Sequence, residues 1–326
     1  MELAISPTTP GVPASGLVDL CRRAEDIGYQ DAWLAEVSGP ETFALAGAIA
    51  GATEAMSLGV AVVAAANRSP ALHAMAAGTV SQLLEGRRFA LGIGSSSEVI
   101  VEDWHGHSFA RPLTQVRDAV QGTRTALTGG RDYDGATATM RRFALTSPPL
   151  GPVELYVGAL GPGMLRLAGA IGDGVCLNLM APHVVPRQLA ELHRGADEAG
   201  RDFPAEFGVM ARLHVVPGDD LDACRTVVRQ AFGPYFAQPV YNRFLAWCGH
   251  PEAAAAIAAG FAAKDRAAVA AAMTDEIVDE VAVIGPVGRI RERLDEYAAA
   301  GLTVAALNVI AMDAATVMGT LEAVRS

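Results

Sequence analysis

Apolar residues fall in short unbroken runs, separated by longer stretches with helical spacing. The runs lie at 2–7, 31–36, 57–64, 88–94, 153–159, 174–180, 207–216 and 303–310. They are apolar throughout instead of alternating, which is the pattern of parallel strands buried on both faces. The intervening stretches at 15–28, 41–54, 70–86, 112–128, 162–172, 182–200, 219–232 and 313–325 read as helices. Eight strand–helix pairs predict a TIM-like (β/α)8 barrel, a fold of about 250 residues. The chain has 326. The excess sits in segments of about 95–111 and 129–150, inserted after strand four, and in the mostly helical 234–300 before strand eight. The expected organisation is one domain over 1–326 carrying these insertions.

Several boundaries have plain causes. Gly28 closes the first helix, and Gly86 and Gly301 each end a helix just before a strand. Pro70 begins a helix, where its missing N–H costs nothing. The Ala-rich stretch 252–273 reads as two packed helices. A doubly wound open sheet is the structural alternative. It would place a glycine fingerprint after the first strand. That position holds "SPTTPGVPASG", and the later "GPVG" at 285–288 follows only a weak strand. The barrel is the better reading.

Composition narrows the function. Hydrophobic residues make up 51% and charged residues 19%, few for a fully solvated surface. Ala-rich helices and a buried subunit interface would account for that. The net charge is −11 with no Lys/Arg block, which argues against nucleic-acid and membrane-surface partners. Between 111 and 142, however, six arginines face three aspartates, a local charge of +3. Cys21, Cys176, Cys224 and Cys248 are scattered with no CxxC pair and read as reduced thiols of a cytoplasmic protein. Met1 leads almost directly into the first strand pattern, with no export signal, and no unbroken apolar run reaches about 18 residues.

Barrel chemistry sits at the C-terminal ends of the strands. Strand five ends in "GALGPG" (158–163) as a helix begins, which is either a tight turn or a backbone cradle for an anion. Strand four ends in "GIGSSSE", whose small hydroxyl side chains suit a phosphate or ribityl contact, or a helix cap. Strand three ends in small residues before Asn67, which would let a flat ring lie against its backbone, or would simply taper the barrel. Strand two ends in Glu36, a candidate acid or orienting group. "VEDWHGHSF" (101–109) gathers Trp104, His105 and His107 in a loop. It reads as a lid or pocket wall more readily than as a metal site, because the other histidines show no ligand spacing. GxSxG, HExxH and Walker patterns are absent.

"GYQDAWLAE" (28–36), "NRSPALHAMAAGTVSQLLEGRRFALGIG" (67–94), "ELYVGALGPGMLRLAGAIGDGVCLN" (154–178) and "AAAGLTVAALNVI" (298–310) together resemble the luciferase-like flavin/deazaflavin superfamily. The chain is most similar to its coenzyme F420-dependent oxidoreductases related to methylenetetrahydromethanopterin reductase. The resemblance implies a lid after strand four, F420 at the strand C-termini and a homodimer. It implies hydride transfer between the deazaflavin C5 and a small organic substrate. It places a non-prolyl cis peptide at Ala61–Val62 behind the ring, the phosphate loop at Gly158, Ala159, Leu160, Gly161 and Pro162, and the strand-four turn at Gly94, Ser95 and Ser96. Two departures stand out. Ala35–Glu36 replaces the Asp–His pair of many relatives, and Glu98 is a loose match to their strand-four turn. Glu36 is therefore the first proton-handling candidate, with Glu98 and His105 behind it and Trp104 as a substrate-pocket wall. Rival readings are an FMN-dependent monooxygenase of the same superfamily, a non-catalytic flavin or deazaflavin carrier, and a metal hydrolase using His105 and His107.

Overall fold

The computed structural model describes residues 1–9 and 11–326. Eight parallel strands close into a barrel: β1 (Glu2–Ile5), β2 (Asp31–Leu34), β3 (Ser57–Ala64), β4 (Phe89–Gly94), β5 (Val153–Gly158), β6 (Gly174–Asn178), β7 (Gly208–Pro217) and β8 (Val304–Val309). Each pairs with its sequence neighbour, and β8 returns to β1 with Glu2 opposite Val304 and Ile5 opposite Leu307. β2, β4 and β8 are buried at every position; β4 is uniformly apolar, whereas β2 buries Asp31, paired with Arg88 at 2.6 Å, and β8 buries Asn308.

Helices cover the outside: α1 (Ala14–Asp26), α2 (Thr42–Ala52), α3 (Pro70–Leu83), α4 (Pro112–Leu127), α5 (Pro162–Ile171), α6 (Val185–Glu198) and α7 (Leu221–Phe236). The stretch before β8 holds α8 (Pro239–Cys248), α9 (Pro251–Ala262), α10 (Arg266–Ala272), α11 (Asp275–Val281) and α12 (Val287–Ala300); α13 (Ala314–Arg325) closes the chain. Local chemistry sets the ends. Ser69 caps α3 by accepting the Leu72 N–H, with Pro70 in its first turn. Glu41 caps α2 at the Ala44 N–H. Gly301 ends α12 in the left-handed region, φ 111°.

The barrel interior is filled by two large rings and many small residues. Trp33 and Tyr156 pack against each other with centroids 5.2 Å apart and planes tilted by 60°, surrounded by Ala4, Ala90, Met210 and Ala306. Glycines make room for them: a Cβ at Gly59 would lie 2.4 Å from the Trp33 ring, and one at Gly208 would lie 1.7 Å from the Tyr156 hydroxyl. The packing closes the bottom of the barrel and leaves the C-terminal end open.

Three features differ from the sequence reading. Strands β1, β2 and β6 stop earlier than their apolar runs; residues 35–37 line the mouth, whereas Leu179 and Met180 are buried in the main core. The weak strand before "GPVG" is real: Val283–Gly285 pairs with the end of β7, on the edge that β6 has already left. Within 95–111, residues Val99–Trp104 form one wide, π-type helical turn instead of an open loop. A short hairpin, Tyr133–Asp134 with Thr139–Met140, lies in the second part of that insertion.

Candidate active site

The site is built from strand tips. Val60 pairs with Leu91 and Val63 with Ile93, so two residues on β3, Ala61 and Val62, lie opposite one on β4, Gly92. The extra residue makes a bulge, and the Ala61–Val62 peptide within it is cis. The Val62 side chain turns toward the next two strands. A Cβ at Gly94 would meet its Cγ2 at 2.6 Å, and one at Gly158 would meet its Cγ1 at 2.9 Å. Glycine is thus required on β4 and β5 because a branched side chain from β3 occupies the space.

Beyond Gly158 the chain turns into α5. Gly161 is the N-cap residue, in extended backbone (φ −86°, ψ 168°), and no side chain caps the helix. A Cβ at Gly161 would touch nothing within 4 Å. The loop therefore presents bare backbone to open space at the positive end of a helix, the arrangement that binds phosphates.

One cavity joins these parts. Glu36, Ala61, Val62, Gly94, Ser95, Ser96, Gly158, Ala159, Leu160 and Gly161 all line it. Pro162 stands just behind, in the first turn of α5. Asn67 lies outside the lining, in a short helical turn after β3, with its side-chain oxygen buried and without a partner. Glu98, Trp104 and His105 also lie outside it, on the exposed π-type turn and its flanks, with Trp104 half exposed at 51%. Ile100, from the inner side of that turn, is the residue that reaches the cavity. Among the described residues no cluster of three or more His, Cys, Asp or Glu could hold a metal ion.

A luciferase-like monooxygenase family model matches residues 2–304. The chain belongs to that family. It is 31% identical to the 5,10-methylenetetrahydromethanopterin reductase of Archaeoglobus fulgidus, over 86% of this chain and 85% of that one. The barrel also superposes on two solved structures across its whole length. One is an F420-dependent secondary alcohol dehydrogenase in complex with an F420–acetone adduct (TM-score 0.80, 19% identity, 99% of that chain). The other is the coenzyme F420-dependent tetrahydromethanopterin reductase of Methanopyrus kandleri (TM-score 0.78, 21% identity, 97% of that chain). At these identities the two structures speak for the fold.

In this member of the family, the carboxylate at the β2 tip is not free. Both Glu36 oxygens accept from the Arg68 guanidinium, at 2.7 and 2.6 Å, and Arg68 also reaches Glu41 at 2.6 Å. The fork is largely shielded, with side-chain exposures of 13% for Arg68 and 16% for Glu36. Arg68 also lies over the Phe43 ring. Glu36 is thereby held in one orientation in the wall, and would exchange a proton with a substrate only after this fork opens.

The sequence reading missed a polar strip on the opposite wall. Arg212 and His214 alternate on β7, so both face the interior. Arg212 Nη2 donates to the Thr8 hydroxyl at 2.6 Å, and Thr8 donates to Asn308 Oδ1 at 2.6 Å. That leaves Asn308 Nδ2 to donate to His214 Nδ1 at 2.8 Å, and His214 Nε2–H to donate to Asn178 Oδ1 at 2.9 Å. Burial, reinforced by the Arg212 charge, holds the His214 pKa well below its usual value, so the imidazole stays neutral. Arg212 and Asn178 line the cavity beside Tyr235 and Tyr241, which α7 and α8 fold over the mouth. The signal was present in the sequence: an arginine and a histidine two apart inside the otherwise apolar "GVMARLHVVP".

Proposed function

We propose that the chain is a coenzyme F420-dependent oxidoreductase that passes a hydride between the deazaflavin and a small organic substrate. The observation that carries this is the joining of the β3 bulge and the uncapped 158–161 loop in one cavity, in a family whose relatives include F420-dependent enzymes. The residues present fit such a cofactor. Ala61 and Val62 would back its flat ring, the hydroxyls of Ser95 and Ser96 would meet its polyol, and the bare amides at the start of α5 would hold its phosphate. Of the basic 111–142 segment, Arg124 is not available to the cofactor: it pairs with Asp173 at 3.0 Å, just before β6 and at the end of the barrel away from the mouth.

When bound, the deazaflavin supplies a two-electron hydride donor or acceptor, and the protein supplies position and shielding. Glycines at 94 and 158 let Val62 lay its side chain against β4 and β5, which fixes the bulge that would back the ring. Glu36, fixed by Arg68, lines the substrate side of the β2 tip. Tyr235 and Tyr241 cover the mouth and exclude water from the reacting face.

The oligomeric reading is a homodimer through α2 and α3. The outer face of α3 carries Leu72, Met75, Thr79 and Leu83, and that of α2 carries Ala44, Ala48 and Gly51, with no charge among them. Met75→Arg is expected to convert the dimer to a monomer in analytical ultracentrifugation. A wild-type chain that sediments as a monomer at micromolar concentration rules the dimer out. No helix among the described residues is long and apolar enough to cross a membrane.

The test of the function is direct. Purified protein is titrated with F420 and with FMN, following the fluorescence of each, and the F420-loaded form is offered a panel of oxidised acceptors. F420 is expected to bind and its reduced form to be oxidised by at least one acceptor. Tight FMN binding with no F420 binding would sink the assignment in favour of a flavin monooxygenase. F420 binding with no turnover on any acceptor would make the protein a carrier.

A further inference from the structure

Arg212 is the one fully charged side chain in the cavity wall without an opposite charge. Among the described residues no carboxylate lies within ion-pair distance of it, although the chain carries 36 Asp and Glu. Of its five N–H donors, one is accounted for, to Thr8. Its Nε is sealed from solvent with no acceptor. The neighbours that surround it, Thr8, His214, Asn308, Tyr235 and Tyr241, are neutral. Burial pushes its pKa down to about 10. A partly buried cation without a counterion destabilises the free protein, which is the mark of a group held for a ligand.

Topology says which ligand. β3 and β7 are four apart in an eight-membered ring of strands, so they face each other across the barrel. A flat ring laid on the Ala61–Val62 bulge has its back to β3 and its open face toward β7. The phosphate loop at the start of α5 lies to one side, on β5. Arg212 therefore stands over the face that the substrate must use.

We propose that Arg212 is the substrate-recognition residue of this enzyme, and that its substrates carry a carboxylate, which the guanidinium fork pairs with across the open face of the deazaflavin. This rests on the F420 assignment above. The planar fork matches a carboxylate with two parallel hydrogen bonds, in a way an ammonium does not. The Thr8–Asn308–His214–Asn178 chain orients the fork from behind and is itself uncharged, so the anion meets one net positive charge.

The test uses F420-loaded wild type, Arg212→Met and Arg212→Lys, each titrated with crotonate and with its neutral isostere crotonamide. Binding is read from the perturbed absorbance of the bound deazaflavin. Wild type is expected to prefer the carboxylate by about tenfold or more, the worth of a charged hydrogen-bond pair. Arg212→Met is expected to bind the two alike, and Arg212→Lys to keep part of the preference. F420 affinity should stay within about threefold in all three proteins. The thermal midpoint of cofactor-free Arg212→Met should equal or exceed that of wild type, whereas loss of a merely structural arginine lowers it. A wild type that does not distinguish the pair overturns the proposal. So does a collapse of F420 affinity in Arg212→Met, which would give Arg212 to the cofactor. If wild type fails to bind F420 at all, the function reading falls separately. Calorimetric titration of the cofactor-free chain then decides Arg212: a crotonate preference lost in Arg212→Met supports the anion role, and no preference ends it.

Discussion

Gly161→Asp should weaken F420 binding by about a hundredfold while leaving the protein as stable as wild type or more so. The two effects have opposite signs for one reason. Gly161 is the uncapped N-cap of α5, in extended backbone that any residue adopts, with nothing within 4 Å of its missing Cβ. Aspartate there folds back onto the free N–H groups of the first turn and adds about 0.5–2 kcal/mol of helix stability. The same carboxylate occupies the donors that would hold the cofactor phosphate. It also sets a negative charge against it, a repulsion of about 1–4 kcal/mol at roughly 4 Å, depending on how much water remains. Gly161→Asn separates the two contributions: it caps without charge and should bind F420 with intermediate affinity. Fluorescence titration and a thermal melt on the same samples read both quantities. Unchanged F420 affinity in Gly161→Asp would remove the phosphate cradle from the 158–161 loop.

Gly92→Ala should be among the most damaging single methyls in the barrel strands. Its Cβ would stand 2.1 Å from the Val60 carbonyl oxygen and 3.0 Å from the Cys176 sulfur. The first obstacle is backbone and cannot rotate away. Either β3 or β4 must shift, at the place where β3 leaves its register for the Ala61–Val62 bulge. Overpacking costs about 1–3 kcal/mol where side chains can yield, and a rigid obstacle puts this case at the upper end or beyond. A fall in thermal midpoint of about 5–10 °C is expected, together with loss of F420 affinity as the ring's backing moves. Gly94→Ala is the informative contrast. Its obstacle is the Val62 side chain at 2.6 Å, so Val62→Ala in the same chain should relieve much of the cost. Melts of these variants decide the matter, and a Gly92→Ala midpoint within about a degree of wild type would mean that the bulge yields easily.

The contrast between these glycines shows how far the sequence could be read. That 158–163 is a glycine-rich strand-to-helix turn was plain from the letters. That Gly94 and Gly158 are demanded by Val62, and Gly161 by nothing within the protein, was not, because the demand comes from a strand more than 30 residues away in the chain. Glu36 likewise read as a free carboxylate at a strand tip. Its partner Arg68 stands 32 residues on, at the end of the next strand. Glu98, Trp104 and His105 were the chemically rich letters after strand four, yet that segment forms a π-type turn that sends them outward, buries Val101 and turns Ile100 to the cavity.

What the sequence determined by itself was the barrel and the place of its mouth. Uninterrupted apolar runs of strand length have to be covered on both faces, and eight of them alternating with helices leave few other closures. What only the tertiary structure decided was the electrostatic state of that mouth. A sequence shows where charges are, but whether a charge is cancelled depends on distances of a few ångströms between distant segments, over which the Coulomb energy changes several-fold. Arg68 found two carboxylates and Arg212 found none among the described residues.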